Sequence, residues 1–246
     1  MANKSNVQQN YPLAPIIEAV IDIRVLPAKD MDFTKLDKSV RENFLREYPF
    51  VSKQFQNQFR LEAGENPQAN PITSSVGLRF TPEDNKHILQ IKENGFTFSE
   101  LAPYENWEKF RDKAKFLWMI YQKSTLPLCI QRIAVRFINR FDFPETKFEL
   151  SDYLKIFPQL PENNITGFSM QVILNQAEIN STLIITQALI PSHKPSTISI
   201  LLDFDLFNEE ERLPEEDFWL FLEKLRIRKN QVFESSITNK TRQLIS

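Results

Sequence analysis

Three arginines, Arg132, Arg136 and Arg140, stand four residues apart in the segment Ile130–Pro144. The segment alternates like a long strand, in which successive side chains point to opposite faces. Ile133, Val135, Phe137, Phe141 and Phe143 then share one face, with Asn139 as its single polar member. Arg132, Arg136, Arg140 and Asp142 share the other with Ala134 and Ile138. A guanidinium is a planar fork of donors matched to carboxylates and phosphates, so an arginine left unpaired there would read an anion. Carboxylates are at hand to oppose it: Asp203 and Asp205 on one later strand, Glu18 and Asp22 on an earlier one. The competing reading is a solvent-facing ladder of Arg136 and Arg140 against Asp203, Asp205 or Asp22, with each facing pair contributing about 0.2–1 kcal/mol.

Other chemistries find few residues to work with. Cys129 is the only cysteine, which excludes an internal disulfide and a cysteine-based zinc site. His87 and His193 lie in separate segments without metal-ligand spacing. With 4 glycines in 246 residues, the chain has no phosphate-cradling loop, dinucleotide fingerprint or nucleophile elbow. Glu18 and Asp22 would sit about 13 Å apart along a strand, too far to act as a paired acid and base. Lys224, Arg226, Arg228 and Lys229 spread around the last helix and read as a solvated basic face. No catalytic residue, metal or cofactor is assigned.

The net charge of −2, from 30 basic and 32 acidic residues, lacks the basic surplus of a nucleic-acid binder. No stretch approaches the roughly 18 apolar residues of a membrane span. The polar start Met1–Asn10 lacks the apolar run of a signal peptide, so a cytoplasmic location is expected.

The elements that must hold these residues follow from periodicity. Strands are expected at Ile16–Leu26, Gln54–Leu61, Ser75–Phe80, His87–Lys92 and Gly95–Leu101, the last two joined by an Asn94-Gly95 turn. Helices are expected over 33–47, capped by Asp32, and over 104–123. Gly64–Pro71 reads as a loop. In the second half come the central strand Ile130–Phe143, a short helix near Leu150–Phe157, and strands at Phe168–Asn175, Thr182–Ile190 and Thr197–Phe207. A last helix begins at Pro214 and runs towards Ile245. The expected class is α+β, mostly antiparallel, with helices packed on one face and 21 phenylalanines filling the core. Residues 1–124 and 125–246 read as two similar β-α-β-β-β-(β)-α halves, one continuous duplicated unit. Saddle-shaped duplicated folds such as the TATA-binding protein share this order of elements, an analogy that transfers no function.

Several of these segments carry a resemblance. Pro15-Ile16-Ile17-Glu18-Ala19, Gly95-Phe96-Thr97-Phe98-Ser99 and Pro103-Tyr104-Glu105-Asn106-Trp107 come first. Arg136-Phe137-Ile138-Asn139-Arg140, Leu202-Asp203-Phe204-Asp205 and Phe233-Glu234-Ser235-Ser236-Ile237-Thr238 follow in order. Together they resemble a sporadically distributed, uncharacterised family of prokaryotic proteins of about this length. The resemblance implies a full-length, single-family protein from a prokaryote and brings no activity with it.

The residues therefore favour a non-enzymatic binding module for a protein or small polar ligand. It would act through the polar sheet face at Glu18, Asp22, Arg132, Arg136, Arg140, Asp203 and Asp205. A nucleic-acid-binding or defence-associated regulator is the second reading. Free sheet edges make a homodimer a further expectation.

Overall fold

A computed structural model describes residues 11–62, 68–144, 149–159, 165–213 and 218–246. The first half comprises β1 (Ile16–Leu26), α1 (Phe33–Phe44), β2 (Phe50–Glu62), β3 (Gln68–Thr81), β4 (His87–Lys92), β5 (Gly95–Leu101) and α2 (Trp107–Thr125). The second comprises β6 (Cys129–Pro144), α3 (Leu150–Tyr153), β7 (Ser169–Gln176), β8 (Ser181–Ile190), β9 (Thr197–Leu213), α4 (Phe218–Ser236) and α5 (Asn239–Ile245). Among the described residues, nine strands make one antiparallel sheet in the order β2-β3-β4-β5-β1-β6-β9-β8-β7. The class is α+β, with the helices packed against that sheet.

Alternation sets the two faces of the sheet. Ile21 and Ile23 of β1, Phe96 and Phe98 of β5, Val135 and Phe137 of β6 and Phe204 and Leu206 of β9 all point into one core. Leu36, Val40 and Phe44 of α1 cover it, as do Phe110, Leu117, Trp118 and Tyr121 of α2 and Leu222 and Leu225 of α4. Rings interlock there: Trp118 meets Phe96 edge-on with centroids 5.6 Å apart, and Phe98 stacks on Phe110 at 5.4 Å. Each such side chain removed from water contributes roughly 1.5–3 kcal/mol. Asn139, alone among these apolar residues on β6, is buried and donates from Nδ2 to the carbonyls of Phe137 and Leu202.

Helix starts obey local capping. Asp32 accepts from the Lys35 amide and Asn106 from the Lys109 amide, each at 2.9 Å. In each half the first strand lies beside the last: β1 next to β5, β6 next to β9. The halves differ in strand number, five against four, and in their second element, 12 residues in α1 against 4 in α3.

Several expectations need correcting. β3 begins at Gln68, so Gln68–Pro71 is strand rather than loop, and Pro71 lies opposite Phe59 of β2. β4 reaches only Gly77–Phe80 of β3, so no ladder partner on that side needs a proline N–H. The β2·β3 ribbon extends past the sheet, and Phe55 on it is exposed. The short helix stops at Tyr153. The final helix divides at Ile237: α4 ends at Ser236, and Thr238 caps α5 by accepting from the Thr241 amide. Its expected start at Pro214 lies outside the described residues.

Candidate functional site

Register places the charged residues. Asp22 of β1 faces Thr97 of β5 on one side and Ala134 of β6 on the other. Arg136 faces Val20 of β1 and Asp205 of β9, while Ile138 faces Glu18 and Asp203. Glu18, Asp22, Arg132, Arg136, Asp203 and Asp205 therefore converge on the adjacent strands β1, β6 and β9, on the face away from the helices.

Within that group Arg132 is an internal clasp. Its Nη1 donates to Asp22 Oδ1 at 2.6 Å and its Nη2 to Asp205 Oδ2 at 3.4 Å. The guanidinium carbon lies 4.3 Å from the centre of the Phe207 ring, and only 8% of the side chain is exposed. Asp22 also accepts from Thr97 Oγ1 at 2.8 Å. Asp205 has fewer partners, and burial raises its carboxyl above the usual range against the pull of Arg132 and Arg136.

Arg136 is held differently. Its Nε donates to both oxygens of Asp203 at 3.0 Å, and its Nη2 to Oδ2 at 2.6 Å. Asp203 is buried beneath it, whereas 46% of the Arg136 side chain faces solvent. The Asp203 hydrogen bonds raise the guanidinium's pKa still further. Among the described residues nothing hydrogen-bonds Arg136 Nη1, so a rigidly seated arginine presents spare N–H donors outward. Glu18 lies near enough to act on the Arg136 charge but forms no ion pair within 4 Å among the described residues. Thr186 of β8, opposite Asp203, adds a hydroxyl to the rim.

The solvent-facing ladder is thus corrected on two counts. Arg132 and Asp203 are buried, because long side chains from three adjacent strands cover one another. Arg140 does not reach Asp203, Asp205 or Asp22. Its Nε donates to Asp142 Oδ1 at 3.0 Å and its Nη2 to Ser199 Oγ at 3.0 Å. Lys194 Nζ stands 3.0 Å from the other Asp142 oxygen. Burial would raise the Asp142 carboxyl, but hydrogen bonds from Ser199, Lys194 and Arg140 outweigh it and hold it down to about 2. Arg140, Asp142 and Lys194 line a shallow recess of about 210 Å³ with Leu13, Pro15 and Leu244, apart from the Arg136 centre. Asp142 shares the arginine face in the sequence, but Ser199 and Lys194 come from β9 and the turn before it, which no local pattern announces.

The basic patch on the last helix is also corrected. Arg226 and Lys229 are buried, at helical spacing from Leu222 and Leu225. Arg226 lies over the Trp107 ring at 5.5 Å and pairs with Glu223. Lys229 Nζ lies 3.6 Å from the centre of the Phe137 ring, and burial, with Arg226 nearby, pulls its amine down to about 7.

Among the described residues, no three or more His, Cys, Asp or Glu side chains are grouped to hold a metal ion, and no helix is long and apolar enough to cross a membrane. The chain matches no family model and no curated protein sequence.

Proposed function

We propose that this protein is a non-enzymatic binding module whose polar sheet face engages a protein segment or small polar ligand through Arg136 and Glu18. One observation carries the reading: Arg136 is fixed by three hydrogen bonds to a buried carboxylate, while 46% of its side chain is exposed and its Nη1 has no hydrogen bond among the described residues. An arginine ordered in advance loses little side-chain entropy when it binds. Beside it, Glu18 supplies an acceptor, and Val20 and Ile138 an apolar floor between the two. A ligand offering both an acceptor and a donor, such as an extended peptide backbone or a zwitterion, fits this set.

The local charge favours such a ligand over a polyphosphate. Glu18, Asp22, Asp203 and Asp205 oppose Arg24, Arg132 and Arg136, leaving the centre with no basic excess. Useful phosphate affinity needs several unopposed cations.

A thermal-shift panel of zwitterionic metabolites and short peptides tests the reading. A ligand present at about 100 times its Kd stabilises the folded state by about 2.7 kcal/mol. Arg136→Lys keeps a cation on Asp203 but removes the spare fork, and Glu18→Gln removes the acceptor's charge. The expected result is a ligand whose shift is lost in both variants. A shift unchanged in both overturns the assignment of this face.

A further inference from the structure

The two ends of the sheet are unlike. β2, at one end, carries the exposed Lys53, and its pairing with β3 slips between Gln54 and Phe55. Charges and bulges are the usual devices that keep an edge strand from joining another chain. β7, at the other end, reads Ser-Met-Gln-Val-Ile-Leu-Asn-Gln. It has no charge, proline or bulge, and pairs with β8 over eight unbroken positions. Among the described residues no strand pairs with its outer edge. Ile173 is 64% exposed on the polar face, and Leu174 is exposed on the helix face.

We propose that β7 is a self-pairing interface: two copies of this chain join their β7 strands antiparallel and continue one sheet through the dimer. Two features select a second copy over another occupant. A neutral edge has no charge with which to choose a charged partner, and it meets no repulsion from itself. An antiparallel pair about a two-fold axis normal to the sheet also keeps the helices of both copies on one side. That symmetry sets residues of the same face opposite each other. Centring the axis on Ile173 places Ile173 against its counterpart, Val172 against Leu174, and Gln171 against Asn175. The three central apolar residues then meet apolar counterparts and the amides of Gln171 and Asn175 meet each other, while Met170 lies against Gln176 at the ends of the pairing. Centring on Val172 instead would set Ile173 against Gln171. A one-residue slip between the copies would turn the faces of one sheet against those of the other. The surface is independent of the Arg136 centre, so either can fail without the other.

Sedimentation velocity across micromolar concentrations of the full chain tests the proposal, with Ile173→Lys and Ile173→Glu as probes. Ile173 is exposed in the single chain, so both variants should melt within a few degrees of the parent. The expected results are a parent that runs as a dimer and variants that run as monomers, because like charges would face each other at the axis. An equimolar mixture of the two variants should recover the dimer, since lysine then faces glutamate. A monomeric parent, a dimer that survives in both variants, or a mixture that stays monomeric each overturns the proposal.

Discussion

Arg132 lies between two carboxylates and an aromatic ring, and its loss strands both partners. Arg132→Met leaves Asp22 and Asp205 poorly matched in a partly dry setting, which should destabilise the fold by about 3–5 kcal/mol in chemical denaturation. The Asp142 carboxyl is shifted in the opposite direction to that of Asp205. Its folded-state value, about 2, lies below the ordinary 3.8. Its contribution is therefore present above pH 4 and lost as pH falls from about 4 to 2. Asp142→Asn removes that contribution, so the stability gap between parent and variant should close over this window. A gap constant from pH 5 to pH 2 would contradict the ion cluster. Asp205, raised rather than lowered, weakens the fold once it ionises, so its own term favours acid. The partition of β6 into an arginine face and a phenylalanine face was legible from alternation alone. Which carboxylate each arginine takes was not, because partners depend on diagonal reach across strands: Arg136 faces Asp205 but binds Asp203.

At the scale of elements, α4 holds a costly residue. Lys229 is buried over Phe137 with its amine near 7, against an ordinary value of 10.5. The unfolded chain binds that proton more tightly, so the penalty is full below pH 7 and fades as pH rises towards 10.5. Lys229→Met should stabilise by about 1–4 kcal/mol at pH 6 and by less at pH 9–10, read from denaturant midpoints. The helix α2 ends on Leu126 in the left-handed region, with φ 46° and 71% of its surface exposed. Glycine adopts that conformation freely, so Leu126→Gly should raise stability by about 0.5–1 kcal/mol. Helix stripes and the Asn94-Gly95 hairpin follow from sequence spacing, and both stand in the structure. The burial of Arg226 and Lys229 was less legible, since cationic types outweigh helical phase until Trp107 and Phe137 are known to lie beneath them. The division at Ile237 was signalled only by Thr238 and Thr241, a weak capping pattern within an otherwise helical run.

For the whole molecule, the decisive contacts join residues far apart in sequence. β1 pairs with β6 from Ile16 to Leu26, and their side chains share one buried cluster, so the halves meet through backbone and core together. Calorimetry should therefore show a single cooperative transition, and separate chains covering 1–124 and 125–246 should not fold alone. Two resolved transitions would contradict this. Fold class was legible because strand and helix periods are local. Strand order was not, since the pairing of β1 with β6 and of β6 with β9 spans loops and helices that carry no register information.

Native mass spectrometry on protein purified gently from its own host tests the Arg136 face most directly, with parent and Arg136→Lys prepared side by side and their melting compared. The proposed function predicts a bound small molecule or peptide on the parent, absent or much reduced on a variant that melts normally. The same adduct at the same occupancy on both proteins would contradict it, as would bare protein in both.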